Sequence, residues 1–376
     1  MKILAVDIGT GTQDILLFDS SGPVENCTKM VMPSPTQIAA ARIRAATAAG
    51  CPVVLTGVVQ GGGPCHWALE DHLRAGFAAY ATAEAARTFD DDLAQVERMG
   101  VGIIGDDEAR AMPESVHVEL RDVDLPAIRR ALASFDVEDA WDGVALGCLD
   151  HGAAPPGYSD RLFRFEHLRR LVERENDLRS FAMCPDELPD YLTRARTVVA
   201  TATQQGADAP IVFLDTGTAA ALGALQDPAV GGAESQLVMN LGNMHTLAFH
   251  LQATRVIGLF EHHTGEVTGG QIAGFAERLL DGTLRHEEIF ESKGHGAFYA
   301  SESAAGSGTA ARVAVTGPQR GKIRDSRLDA YFAAPHGDMM ISGCFGLVQA
   351  WAMKHPSARD EIEAALGTAD GQRARA

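Results

Sequence analysis

Residues 1–19 read MKILAVDIGTGTQDILLFD, in which two short apolar runs flank a polar turn. The first run, at 3–6, leads into Asp7, and the second, at 15–18, follows the turn at 9–12. This pattern predicts a β-hairpin whose tip carries glycine, threonine and carboxylate groups. Glycine lets the backbone approach a ligand, hydroxyl and amide groups bind phosphate, and a carboxylate holds the water shell of a metal ion. The tip therefore suits a metal-bound phosphate, although glycine and threonine also occur in ordinary hairpin turns.

Composition narrows the classes of protein to consider. The chain has 376 residues, a length that is enough for two domains, and 46% of its residues are apolar. No signal peptide or membrane-spanning run is evident, so we expect a cytoplasmic protein without a membrane partner. The formal charge of -18 argues against nucleic acid as a partner. The six cysteines lack CxxC or CxxxCxxC spacing and predict no zinc ribbon, iron–sulfur cluster or disulfide framework.

Downstream of the hairpin, the pattern alternates between helix and strand. SPTQIAAARIRAATAAG, at 34–50, has helix-start residues at one end and glycine at the other, and CPVVLTGVV, at 51–59, predicts a buried strand. GGGPCHW, at 61–67, predicts a glycine turn that opens a helix. The α/β pattern continues from about 78 to 210, with a strand at 143–149 and a long charged helix around 159–180.

A second hairpin of the same design is predicted at 233–251, AESQLVMNLGNMHTLAFHL. Two such hairpins in one chain suggest a duplicated domain. We predict an α/β protein with an N-terminal domain at 1–230, carrying an α/β insertion at about 78–210, and a C-terminal domain at 231–356. Residues 357–376 form a charged, partly disordered tail in this interpretation.

The order of these motifs resembles the superfamily of actin, the seventy-kilodalton heat-shock chaperones and the sugar kinases. The resemblance lies in VDIGTGTQD (6–14), LDTGTAAALGAL (214–225), MNLGNMHTLAF (239–249) and either VAVTGPQR (313–320) or ISGCFGLVQAW (341–351). It implies two ribonuclease-H-like, actin-like ATPase domains with ATP and Mg²⁺ in a central cleft. It further implies Asp7 and Asp215 at the metal, and the nucleotide against Gly9, Thr10, Gly11, Thr12, Thr218, Asn240, Gly242, Asn243, Thr246, Gly317 and Gly343.

The chain departs from the superfamily pattern at Asn240, where the second phosphate loop usually begins with aspartate. A neutral amide does not activate water as a carboxylate does, so the extent of ATP turnover stays open.

A closer resemblance is to a bacterial and archaeal family within that superfamily, some of whose members carry the label "putative pyruvate formate-lyase activating enzyme". The matching stretches are GGGPCHWALEDH, DHG, NLGNMHTLAF, FEHHTG, GHGA and APHGDMMISGCFG. The radical chemistry that this label implies needs a three-cysteine motif, and the sequence has none, so we do not predict it.

Polar residues also cluster at strand ends outside the nucleotide motifs. We expect several of them to converge on one cleft as substrate-binding groups: Asp150, His151, His295, His336 and Asp338. Neighbouring strand residues point to opposite faces, so His262 and His263 cannot both face one metal ion within a strand. Three interpretations stay open for these histidines, namely local turn structure, substrate or acid–base roles, and a transition-metal site.

Four further residues are substrate candidates. Cys65 in the first turn of a helix, with His66 beside it, suggests a thiolate, although such glycine turns more often serve close packing. Arg161 and Arg164 suit an anionic substrate, and surface positions on a helix explain them equally well.

Our leading hypothesis is an ATP- and Mg²⁺-dependent enzyme, a phosphotransferase or an ATP-coupled activator of a small, polar, anionic substrate. Its base would be Asp14, Glu261, His262 or His263. One alternative is an ATP-sensing partner of another enzyme with little turnover. Another is a hydrolase with a degenerate nucleotide site that uses a metal or Cys65. An apolar surface near 339–352 suggests a homodimer.

Overall fold

The computed structural model describes residues 1–301 and 311–367. Within them the strands are β1 (Lys2–Ile8), β2 (Thr12–Asp19), β3 (Thr28–Pro33), β4 (Val53–Gly57), β5 (Ala79–Thr82), β6 (Val101–Ile104), β7 (Val116–Leu120), β8 (Gly143–Cys148), β9 (Ile211–Asp215), β10 (Gln236–Leu241), β11 (His245–Gln252), β12 (Arg255–His263), β13 (Gly296–Tyr299), β14 (Arg312–Thr316) and β15 (Tyr331–Phe332).

The helices of the same residues alternate with these strands. They are α1 (Pro35–Ala49), α2 (Pro64–Arg74), α3 (Ala83–Ala86), α4 (Leu93–Met99), α5 (Asp106–Arg110), α6 (Leu125–Ala133), α7 (Asp160–Arg174), α8 (Thr193–Gln204), α9 (Thr216–Ala224), α10 (Pro228–Gly231), α11 (Gly269–Leu280), α12 (His286–Glu291), α13 (Ser342–Lys354) and α14 (Pro356–Ala365). The predicted α/β class is therefore confirmed. None of these helices is long and apolar enough to cross a bilayer.

Two of the sheets repeat one strand arrangement. The first sheet has the order β3-β2-β1-β8-β9, in which β1, β2 and β3 are antiparallel neighbours and β8 and β9 run parallel to β1. The second sheet has the order β13-β12-β11-β10-β14-β15, in which β10, β11 and β12 are antiparallel and β14 and β15 run parallel to β10. Both predicted hairpins are present, and they occupy equivalent places in the two sheets.

A third, smaller sheet of parallel strands has the order β6-β5-β4-β7 and its own apolar core. It lies at 53–120, earlier in the chain than the insertion predicted at about 78–210. The difference arises because β8 and β9 belong to the first sheet, where they pair with β1 and with each other.

Helices α9 and α13 connect the first two sheets. Helix α13 packs on the first sheet and α9 on the second, and the two helices pack on each other. They approach closely because two positions lack a side chain: a Cβ at Gly223 would lie 1.7 Å from Ser342 O, and one at Gly346 would lie 1.9 Å from Ala219 O. Larger residues at either position would separate the helices.

The structure differs from three expectations drawn from the sequence. The charged helix predicted around 159–180 ends at Arg174, because Glu175 is extended and the Asp177 side chain caps a separate 3₁₀ turn, Leu178–Phe181. The apolar stretch at 339–352 is not a surface, since Ser342–Ala352 of α13 is buried between the sheets. Part of the predicted tail is helical as α14, and residues 368–376 lie outside the described residues.

Candidate active site between the two hairpin turns

A cavity of about 390 Å³ lies between the first and second sheets. This volume is in the range of small-molecule sites. Its walls include both hairpin turns, the glycine turn at 61–63 and the loops that follow β8 and β14. The predicted site residues that line it are Asp7, Gly9, Thr10, Gly11, Thr12, Asp14, Asp150, His151, Asn240, Gly242, Asn243, Glu261, Gly317 and Gly343.

The two hairpin turns are closed by the same kind of backbone hydrogen bond, and they contact each other. Gly9 N donates to Thr12 O at 2.9 Å, and Gly242 N donates to His245 O at 2.9 Å. A Cβ on Gly11 would lie 2.2 Å from Asn243 Nδ2, so the first turn approaches the second where it has no side chain. The turns therefore close one end of the cavity with backbone groups and small polar side chains.

Asp7 and Asp14 form a buried carboxylate pair in this cavity. They are directly opposite each other on β1 and β2, so both side chains leave the same face of the sheet. Thr216 Oγ1 donates to Asp7 Oδ1, whereas Asp14 Oδ1 is buried with no hydrogen-bond partner among the residues described. Burial and the neighbouring Asp14 raise the pKa of Asp7 to about 8, and burial raises the pKa of Asp14 to about 7. Among the described residues, neither carboxylate has a cationic side chain as partner.

Asp215 and Glu261 are held by one buried arginine. Arg164, which is 1% exposed, donates from Nη1 to Asp215 Oδ2 at 2.9 Å and from Nε and Nη2 to Glu261 at 2.8–2.9 Å. Asp215 Oδ1 also caps α9 by accepting from Gly217 N and Thr218 N. Arg164 keeps the pKa of Glu261 well below its usual range despite burial. Both carboxylates are thus already engaged by Arg164.

Four histidines meet beside Glu261. Each of His151, His245, His263 and His295 offers a ring nitrogen, and these nitrogens all lie within 4.8 Å of one another. His151 follows β8, whereas the other three come from the second sheet. Burial lowers the pKa of His263 to about 4 and lowers those of His151 and His295 well below the usual value, so these rings are neutral near pH 7.

Comparison with known proteins places the chain in a family. The family model described as "Putative pyruvate format-lyase activating enzyme (DUF1786)" matches residues 60–322. The chain belongs to the DUF1786 family. The match covers strands β5, β6 and β7 of the small sheet, the loop after β8, the second turn and all four histidines. No curated protein matches the chain.

The cysteines of this DUF1786 chain are free and dispersed. In the part of the chain that the structure describes, no three of them come together as a metal-binding group. Cys65 lies in the first turn of α2, as predicted, but it is fully buried, and this burial raises the pKa of the thiol to about 12. Its environment therefore favours the thiol, because desolvation outweighs the helix dipole.

The remaining predicted site residues lie outside the cavity wall. His262 is on the opposite face of β12 from His263, as the alternation of strand side chains predicts, and its ring contacts Ser292 and stacks on Phe275. Five other predicted site residues contact nearby groups of the protein: Thr246 contacts Thr264, His66 contacts Glu70, Arg161 contacts the backbone of Phe290 and Gly294, His336 contacts Gln226, and Asp338 contacts the backbone of Met340. Thr218 is buried in α9.

The cavity also contains residues that sequence reasoning missed. Arg194 pairs with Asp122 at 2.7 Å, and Asp122 Oδ1 accepts from Gly61 N at 3.2 Å, which fixes the glycine turn. Arg87 and Gln60 line the same end of the cavity. The chain offers little local signal for these residues, since Asp122 and Arg194 are 72 positions apart. Thr216 could have been predicted as a site residue, because it directly follows Asp215 in the stretch at 214–225.

Proposed function

We propose that this protein is an ATP- and Mg²⁺-dependent enzyme that acts on a small, polar, anionic substrate. The observation that carries the proposal is the opposed pair Asp7 and Asp14, buried in a cavity between two glycine- and threonine-containing turns. Like charges directly opposite each other on a sheet are destabilising. A cation between them would remove this cost and return both carboxylates to their ionised forms.

The residues present fit a magnesium ion. Mg²⁺ prefers oxygen ligands, usually one or two carboxylates with several retained waters. Within the part of the chain that the structure describes, Asp14 Oδ1 has no partner to lose, and Asp7 accepts from the Thr216 hydroxyl. The environment of Asp215 is different, because its two oxygens already bond α9 and Arg164. We therefore assign the ion to Asp7 and Asp14 and give Asp215 a positioning role.

The two turns fit the phosphates of a nucleotide. Thr10, Thr12, Gly242 and Asn243 line one end of the cavity. Bound Mg-ATP would supply a transferable phosphoryl group, and the turns would position it through backbone N–H and hydroxyl groups. The repeated strand arrangement of the first and second sheets supports two ribonuclease-H-like domains and membership of the actin-like superfamily.

Another part of the cavity wall suits the substrate. Arg87 lines it with the glycine turn at 61–63 and with Arg194, which is already paired with Asp122. The guanidinium of Arg87 favours an anionic ligand such as a carboxylate or phosphate. Of the four predicted bases, only Asp14 lines the cavity with an unengaged oxygen, so we propose Asp14 for proton transfer or ion binding.

A second candidate is a nucleotide sensor that signals to another protein, and Asn240 favours it. Asn240 lines the cavity at the end of β10, where the superfamily pattern has a carboxylate. An amide binds a nucleotide without acting as a general base. The protein would then hold Mg-ATP with little turnover.

Replacing Asn240 with aspartate separates these candidates. We expect Asn240→Asp to raise the hydrolysis of Mg-ATP by about 100-fold, because a positioned general base contributes about 10²–10⁴-fold. The release of phosphate from Mg-ATP measures this rate of hydrolysis. Asn26→Asp, at an exposed position, is the charge-matched control. Transfer by the wild type to a small carboxylate or sugar acid would favour the enzyme over the sensor. Equal phosphate release from Asn240→Asp and Asn26→Asp would contradict a catalytic position for residue 240.

A further inference from the structure

We propose that His151, His245, His263 and His295 bind one divalent transition-metal ion, such as Zn²⁺, at the wall of the cavity. This site is separate from the Asp7–Asp14 pair and does not depend on nucleotide binding. Imidazole nitrogen is a preferred ligand of zinc, copper, iron and nickel, whereas magnesium prefers oxygen.

The geometry is close to that of a tetrahedral ion. His151 Nε2 and His295 Nε2 are 3.4 Å apart. Zinc–nitrogen bonds of about 2.0–2.1 Å in a tetrahedron place neighbouring nitrogens about 3.3–3.4 Å apart. All four ligand nitrogens lie within 4.8 Å of one another, so small ring rotations bring the others into range.

Contacts around the rings support the same assignment. His245 Nδ1 lies 3.4 Å from Glu261 Oε1 without a hydrogen bond, and His263 Nδ1 lies at hydrogen-bond distance, 3.0 Å, from the Lys293 carbonyl oxygen. Metal-binding histidines usually donate their second ring N–H to a carbonyl or carboxylate in this way. His295, which is 0% exposed, has a buried Nδ1 without a partner in the described residues. No group among residues 1–301 and 311–367 satisfies this ring fully.

The charge balance beside the cluster also favours a cation. Glu261 and Asp215 share the single guanidinium of Arg164, which leaves one net negative charge next to the histidines. The ion would join the loop after β8 of the first sheet to β11, β12 and the segment before β13 of the second sheet. Since His151 and His245 also line the cavity, the ion would lie within reach of a bound substrate.

Zinc reconstitution of the full-length protein tests the site. The protein is treated with a chelator, dialysed, titrated with Zn²⁺ alone and assayed for bound metal by mass spectrometry and calorimetry. We expect one ion per chain and a higher melting temperature with Zn²⁺. His263→Gln and His151→Gln should each weaken binding by about 100-fold or more, because even loss of an outer partner costs about 10–100-fold.

His262→Gln is the matched control, since His262 neighbours His263 on β12 but faces away from the cluster. It should retain zinc binding. Melting curves in chelator show whether each variant is folded, and His263→Gln, at the half-exposed position, is the variant least expected to disturb packing. Wild-type protein that retains no zinc, or zinc binding that neither His263→Gln nor His151→Gln weakens, would overturn the proposal.

Discussion

Replacing Arg164 with methionine is expected to destabilise the protein by about 3–5 kcal/mol, because removing one partner of a buried ion pair leaves an uncompensated charge. Here two carboxylates, Glu261 and Asp215, would lose the same guanidinium. Glu261 is 0% exposed and cannot regain water without local opening. Urea unfolding of the two proteins, followed by circular dichroism, measures the difference.

Arg169→Met is the control for this experiment. Arg169 lies on the same helix but pairs with Glu173 at the surface, where ion pairs contribute about 0–1 kcal/mol. Adding Glu261→Gln to Arg164→Met should recover part of the loss, because it removes one of the unpaired charges. An Arg164→Met variant as stable as Arg169→Met would show that the network is not buried as described.

Replacing Asp7 with asparagine is expected to stabilise the metal-free protein at pH 8 by roughly 5 kcal/mol. The folded-state pKa of Asp7 is raised to about 8 from an ordinary value of 3.8. Between these values the folded state holds more protons than the unfolded state, so the stability of the wild type falls as the pH rises from about 4 to 8. Asparagine cannot ionise, and the Asp7→Asn variant should lose this part of the pH dependence.

Urea unfolding in chelator at pH 5 and pH 8 measures this effect. Asp19→Asn, at the other end of β2 and outside the cavity, is the control and should keep the wild-type fall in stability between these two pH values. If Asp7→Asn and the wild type lose the same stability between pH 5 and pH 8, Asp7 is not the buried, unpaired carboxylate that the account requires.

Local patterns were sufficient to predict both hairpins, whose turns line the cavity. Strand alternation also predicted that His262 and His263 lie on opposite faces. Asp7 and Asp14 face each other because of the register of the first hairpin, and the sequence alone did not predict that register. Ile8 pairs with Gln13 directly beside the turn at 9–12, and this register places the two carboxylates side by side.

Long-range partners account for what the sequence could not predict. Arg164 sits in a charged helix that resembles a surface helix, and its partners lie 51 and 97 residues away. His151 reaches His295 across 144 residues. At Cys65 the position in the first helical turn was predicted correctly, and of the two interpretations left open, a thiolate or close packing, burial of the thiol favours close packing. In each case tertiary packing decides the chemistry of the group.

Melting temperature with and without Mg-ATP tests the central claim most directly. A ligand at 100 times its Kd stabilises the folded state by about 2.7 kcal/mol. We predict a rise of a few degrees with Mg-ATP that exceeds any rise with Mg²⁺ alone, and loss of the Mg-ATP rise in Asp14→Asn. An unchanged melting temperature at millimolar Mg-ATP would contradict a nucleotide site between the two hairpin turns.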